Sequence, residues 1–210
     1  MWWACCVVWV AGVCRALAVA FEWGYHRWVL HADIAQVRRW RRRPHLLRFA
    51  VRAWLAHRAH HARARKFCRA RSARSIAVTQ RELDHLRKGG TDLILVMVPV
   101  AWTPVFGGWF GLGGLAGAVL AAAFHVWIQC TVHPYLHLGV EGVRCAARIM
   151  PAWLLRSHWF QRASAHHRGH HHSSRNNFNF LPTADRIFGT WDRSDSIGDR
   201  TVSAREVRGA

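Results

Sequence analysis

Lysine is almost missing from this 210-residue chain: Lys66 and Lys88 are the only two, so nearly all of its 30 cations are arginine. Acids are scarce too, 11 against those 30, which leaves a formal charge of +19. On a soluble domain so strong a bias would point to nucleic acid. The remaining composition argues otherwise, because 51% of the residues are hydrophobic and 13 are tryptophan, a mixture that suggests a membrane protein. The sequence also has no GxGxxG, no cysteine quartet and no haem-attachment motif, so it carries no recognisable electron-transfer cofactor of its own. Its six cysteines (Cys5, Cys6, Cys14, Cys68, Cys130 and Cys145) form no spaced framework. Three of them lie in apolar N-terminal sequence, where cysteine acts as a small hydrophobe, and nothing calls for an oxidising compartment.

The apolar run "MWWACCVVWVAGVCRALAVAF" is interrupted only by Arg15 and is close to the ~20 residues that cross a bilayer. Its "ALAVA" end also suits a cleaved signal peptide. Against that, no positive charge precedes the run, and cleavage would leave His26 beside a frayed terminus. Residues 31–90 then hold 17 of the 30 cations, with Asp33, Glu82 and Asp84 as the acids. Cation-rich segments next to spans stay in the cytoplasm, so this one orients the chain and draws it to anionic lipid. After Asp92 no charged residue occurs through residue 132. About 40 residues of helix cover ~60 Å, two crossings of a ~30 Å core. Pro104 and the pairs Gly107-Gly108 and Gly113-Gly114 supply breakers where a hairpin would reverse, and "GLGGLAGAVLAAA" offers a small surface for close helix packing. One span plus a hairpin makes three crossings, which returns the chain after Val132 to the arginine-rich side.

Ten of the 16 histidines fall at membrane edges on that side. "HRWVLH" supplies His26 and His31, "HRAHH" supplies His57, His60 and His61, "HPYLH" supplies His133 and His137, and "HHRGHH" supplies His167, His170 and His171. Positions i, i+3 and i+4 share a helix face, so each HxxHH aims three imidazoles at one point, and imidazole suits iron, zinc, copper and nickel. One such box is a weak signal; two, gathered with HxxxxH and HxxxH, predict a transition-metal site. Two details strain this picture. His26 and His31 lie about 140° apart on a regular helix, so the helix must distort there or the pair must serve different metals. Pro134 disfavours α geometry at His133, which predicts a helix beginning at Pro134.

"EWGYHRWVLH", "HRAHH", "TVHPYLH" and "AHHRGHHHSSRNNFNFLPTADRIFGTW" together resemble the fatty acid hydroxylase superfamily, membrane di-iron oxygenases that include sterol desaturases, lipid hydroxylases and carotene hydroxylases. The likeness covers roughly residues 20–191, and its most specific part joins HxxHH to the P-x-x-D-x-x-F-G-T ending at Thr190. It implies an all-α membrane domain over residues 1–191 with a cytoplasmic histidine-rich cap, followed by a polar, flexible tail at 192–210. It also implies two iron ions, replaceable by zinc, held by the ten histidines named above, with no catalytic residue beyond those ligands. His45, His85, His125, His158, His166 and His172 fall outside that set, although His166 and His172 adjoin it. The chain departs from many members in having three spans rather than four. It also places 29 residues between His137 and His167, room for an interfacial helix around "RIMPAWLLRSHWF".

The resemblance implies hydroxylation or desaturation of a lipid C–H bond, the substrate being fatty acyl, sterol, sphingolipid or carotenoid. Electrons would come from an external carrier such as a ferredoxin or cytochrome, and the arginine loop could dock it or serve topology alone. Trp23, Trp28, Trp127, Phe178 and Phe180 either line a lipid cavity or anchor helix ends at the interface. Glu22, one turn before His26, either orients its ring through the second nitrogen or is a plain surface acid. A second reading is a zinc-binding or metal-transport membrane protein. Transport predicts ionisable ligands inside the spans, where only His125 qualifies. A third, a membrane-anchored nucleic-acid binder, leaves the histidine spacing unexplained, so nucleic acid is not an expected partner.

Overall fold

The computed structural model describes residues 2–72, 93–137, 152–172 and 182–191, and every regular element among them is helical. Helix α1 (Trp2–Tyr25) passes without a break into a π-turn (His26–Leu30). Then come α2 (Ile34–Arg41) and α3 (Pro44–Ser72), followed by α4 (Leu93–Ala101) and α5 (Thr103–Trp127). A second π-turn (Ile128–Val132) leads into α6 (His133–Leu136), and the chain closes with α7 (Ala152–Leu155), α8 (His158–His172) and α9 (Pro182–Ile187). The tail 192–210, Phe178, Phe180 and His85 lie outside the described residues.

Two helical stretches, Trp2–Leu30 and Thr103–Leu136, are long and apolar enough to cross a membrane. The second is not one rod. Gly111 sits at φ 62°, ψ −150°, and across it the chain folds back on itself. A Cβ placed on Gly114 would lie 2.3 Å from the Phe106 carbonyl oxygen, and one on Gly107 would touch the Leu115 side chain at 3.4 Å. Residues eight apart in a straight helix are separated by ~12 Å, so only a reversal explains both contacts. The hairpin therefore turns at Gly111, not at the glycine pairs, which flank it and supply room for the two arms to touch.

The arms have defined directions. Ile94 packs with Tyr25 and Leu30, and Phe110 meets Trp9 edge-on at 5.5 Å, so residues 93–110 run antiparallel to α1. The return arm runs parallel to α1. Gly113 faces Cys6, Gly117 faces Val7 and Val10, and Arg15 meets His125. The small residues do what their composition suggested: a Cβ on Gly117 would stand 2.5 Å from the Val7 carbonyl oxygen. Val10, Cys14, Phe106, Ala118 and Ala121 close this seam, while Trp2, Val8, Trp109, Leu112 and Leu120 point outward. Because α1 and the return arm are parallel, their histidine-bearing ends coincide.

A helical cap covers that end. Asp33 caps α2, its Oδ1 accepting from the Gln36 N–H at 2.7 Å. Val37 of α2 packs on Trp54 of α3, whose indole N–H donates to the Ala32 carbonyl at 3.0 Å. Along α3 the buried positions Ala50, Trp54, His57, His61 and Ala64 recur at helical spacing, so one stripe faces the bundle and carries histidine. Beneath the cap, Trp23, Tyr135, Leu136, Leu155, Phe160 and Ala184 form a core that ties α8 and α9 to α1 and the return arm. Of the expected interfacial segment, α7 is a single turn with Trp153 exposed and Leu155 buried; residues 148–151 lie outside the described part.

Candidate metal centre

The ten predicted histidines converge at one end of the bundle, and nine of them form two tight groups. His26, His31, His57, His61 and His170 place one nitrogen each within 4.8 Å of all the others; His60, His137, His167 and His171 do the same. The five-residue spacing of His26 and His31 is resolved by distortion. The His31 N–H donates to the His26 carbonyl at 2.9 Å, an i→i+5 bond that puts five residues in one turn and stacks the two rings 5.2 Å apart.

Neither HxxHH box aims three rings at one point. His57 and His61 serve the first group while His60 serves the second, and in α8 His167 and His171 serve the second while His170 serves the first. The reason is angular. Relative to position i, i+4 lies about 40° to one side and i+3 about 60° to the other, so consecutive histidines diverge by about 100°. Each box thus spans both groups, and the groups adjoin, with the His61 and His171 rings 4.2 Å apart.

In the first group His26 Nε2 is 3.1 Å from the Nε2 atoms of both His57 and His170, His57 Nε2 is 3.1 Å from His31 Nε2, and His61 Nε2 is 3.1 Å from His170 Nε2. In the second, His167 Nε2 is 3.1 Å from both His137 and His171 Nε2. A single imidazole N–H cannot serve two such neighbours, so hydrogen bonding leaves lone pairs facing lone pairs. A cation at the focus satisfies them all. An ion about 2.1 Å from nitrogens 3.1 Å apart subtends about 95° between them, below a tetrahedral angle, and five donors exceed the four of a structural zinc site.

The rings are held in the form that binds metal. Burial lowers His31 to about 4, and burial together with His133 and Arg63 lowers His60 to about 3. Burial, then the neighbouring imidazoles, push His57, His137, His167 and His171 well below the ordinary histidine value. All six are neutral at pH 7, with a nitrogen lone pair free of a competing proton.

Several expectations change. His133 is helical (φ −50°, ψ −46°), not a residue ahead of a helix. The π-turn before it, closed by the His133 N–H to the Ile128 carbonyl, widens the backbone and admits the Pro134 ring without a break. His133 is buried with its ring 4.6 Å from His167, beside the second group but not one of its four. Glu22 is fully buried, which removes the surface-acid reading, yet no hydrogen bond reaches His26 Nδ1 among the described residues. Trp23 is structural: it stacks on Phe188 at 4.1 Å and donates to Thr190 at 3.0 Å. Trp28 and Trp127 remain exposed.

The sequence reading missed the work of Asp185. Fully buried, it lies 3.0 Å from His166 Nε2 and accepts from the Thr190 hydroxyl, while its carbonyl accepts from the Thr190 and Trp191 N–H groups. This knot fastens α8 to α9 and, through Trp23, to α1. Asp185→Ala should lower stability by about 2–3 kcal/mol, because His166 and Thr190 lose a buried partner. Thermal unfolding of the detergent-solubilised protein reads this, and an unchanged Tm would contradict it. His125 pairs with Arg15 at 2.8 Å and belongs to neither metal group, and His45 and His158 are exposed. Comparison with family models, curated proteins and solved structures gives no match.

Proposed function

We propose that the chain is an integral membrane di-iron oxygenase that hydroxylates or desaturates a lipid C–H bond. The observation that carries this reading is the pair of adjoining all-imidazole groups, five and four nitrogens strong, at the end of an apolar helical bundle. His26, His31, His57, His61 and His170 would hold one iron and His60, His137, His167 and His171 the other, with His133 beside the second. Bound there, the irons would supply O2 reduction and hydrogen abstraction, which carboxylates and imidazoles alone cannot perform. The rings fix the geometry, their burial excludes water, and the outward apolar side chains of the bundle meet lipid tails, so a hydrocarbon arrives laterally. Residues 93–110 and the return arm, with α1, would make three crossings. The arginine content of residues 31–90 supports a cytoplasmic histidine end, since cation-rich segments beside spans stay on that side. Electrons come from outside the chain.

Metal analysis of anaerobically purified protein, coupled to lipid profiling of expressing cells under labelled O2, tests the reading. About two irons per chain and labelled oxygen in lipid are expected. Protein that takes up only zinc under iron-replete anaerobic conditions, with unaltered lipids, would favour the zinc-binding alternative, which five converging nitrogens already fit poorly.

A further inference from the structure

We propose that the outer basic face of α2 and α3 is the docking site of an acidic one-electron carrier protein, an inference that rests on the oxygenase reading. Between residues 31 and 72 the chain has thirteen cations and one acid, and that acid, Asp33, is used as a helix cap. The sequence alone explains such a bias by membrane topology; the direction of the side chains adds something topology does not require. Ala53 of α3 packs toward Tyr25, Leu30 and Ile94, which marks the side of the helix facing the bundle. Arg48 and Arg52 stand about 140° and 100° round the helix from Ala53 and are exposed. Arg48 therefore points away from the bundle, where a soluble protein can reach it.

The same helix also leads from an exposed arginine to the metal groups through a buried ring. The Arg58 guanidinium lies 4.8 Å above the Trp54 ring, which is otherwise buried. The Trp54 indole N–H donates to the Ala32 carbonyl, one peptide from His31, and His57 follows Trp54 by one helical turn. A carrier seated on the arginines thus stands one aromatic ring from two candidate ligands of the first group. Each docking event passes one electron from the reduced carrier to the metal site, so two events, with two protons, let one O2 become one water and one hydroxyl on the substrate.

The test uses the full chain in phosphatidylcholine nanodiscs, open on both faces, with an acidic [2Fe–2S] ferredoxin as probe and affinity as readout. Binding should weaken about tenfold between low and physiological salt, and about tenfold again in the double variant Arg48→Glu, Arg52→Glu. Circular dichroism and metal content should match the parent. Equal affinity of parent and variant overturns the proposal. So does a variant that keeps ferredoxin binding but no longer binds phosphatidylserine vesicles, because the face would then serve lipid. The readout needs no turnover: tight, arginine-dependent binding by a protein that oxidises no lipid would sink the oxygenase reading and leave the docking face standing.

Discussion

Replacing His170 by alanine should cut bound iron to about half or less and abolish lipid oxidation, a loss of at least about 100-fold. Its Nε2 stands 3.1 Å from both His26 and His61, so it links two edges of the five-nitrogen group. His167→Ala should do the same to the second group, where His167 bridges His137 and His171 at 3.1 Å. Because both residues lie on α8 within one turn, the two variants share fold and burial and differ only in which group they open. Under the di-iron proposal either change would remove one ion and so stop O2 chemistry that needs both. His45→Ala, an exposed position on α3, controls for histidine loss as such and should keep full metal and full activity. A His170→Ala protein with its full iron and normal lipid products would end the di-iron reading. One with full iron but no activity would keep the metals and deny His170 its place as a ligand.

The centre was legible in outline because histidine spacing reports helix geometry directly. The expected three crossings would put His26, His57, His133 and His167 on one side, and the parallel packing of α1 with the return arm gathers them at one end of the bundle. The finer arrangement was partly available as well. His60 and His61 are neighbours in sequence, so about 100° separates them, and their division between two groups follows from that angle. The π-turn at His26–Leu30 had only one trace in the sequence, the five-residue interval itself. The role of Asp185 had less. It sits in a motif, but nothing in "PTADRIFGT" states that the carboxylate turns inward to His166, since only packing decides which face of a six-residue helix is covered. Glu22 shows the same limit. A carboxylate one turn before a histidine looks like its orienting partner, and it is instead buried near Arg15, close enough for the two charges to interact.

The reversal at Gly111 leads to the prediction with the largest expected effect on stability. "GGWFGLGG" offers five glycines, and spacing does not say which one turns. The backbone does: φ 62° with ψ −150° is a region that essentially only glycine occupies, whereas Gly114 is needed for contact, not conformation. The two sites should fail differently. At Gly111 a Cβ meets nothing within 4 Å, so Gly111→Ala costs backbone strain alone, about 1–3 kcal/mol. At Gly114 it would lie 2.3 Å from the Phe106 carbonyl oxygen and 2.5 Å from Phe110 Cβ, neither of which can rotate away. Gly114→Ala must therefore part the arms, at the top of the overpacking range or beyond it, about 3 kcal/mol or more. Parting them also shifts His133 and His137, which ride on the far end of the return arm, so iron retention should fall with stability in Gly114→Ala and much less in Gly111→Ala. Thermal unfolding in detergent, with metal analysis of the same samples, separates the two. A Gly114→Ala protein whose Tm stays within about 1 °C of the parent would mean that residues 103–136 do not fold back on themselves.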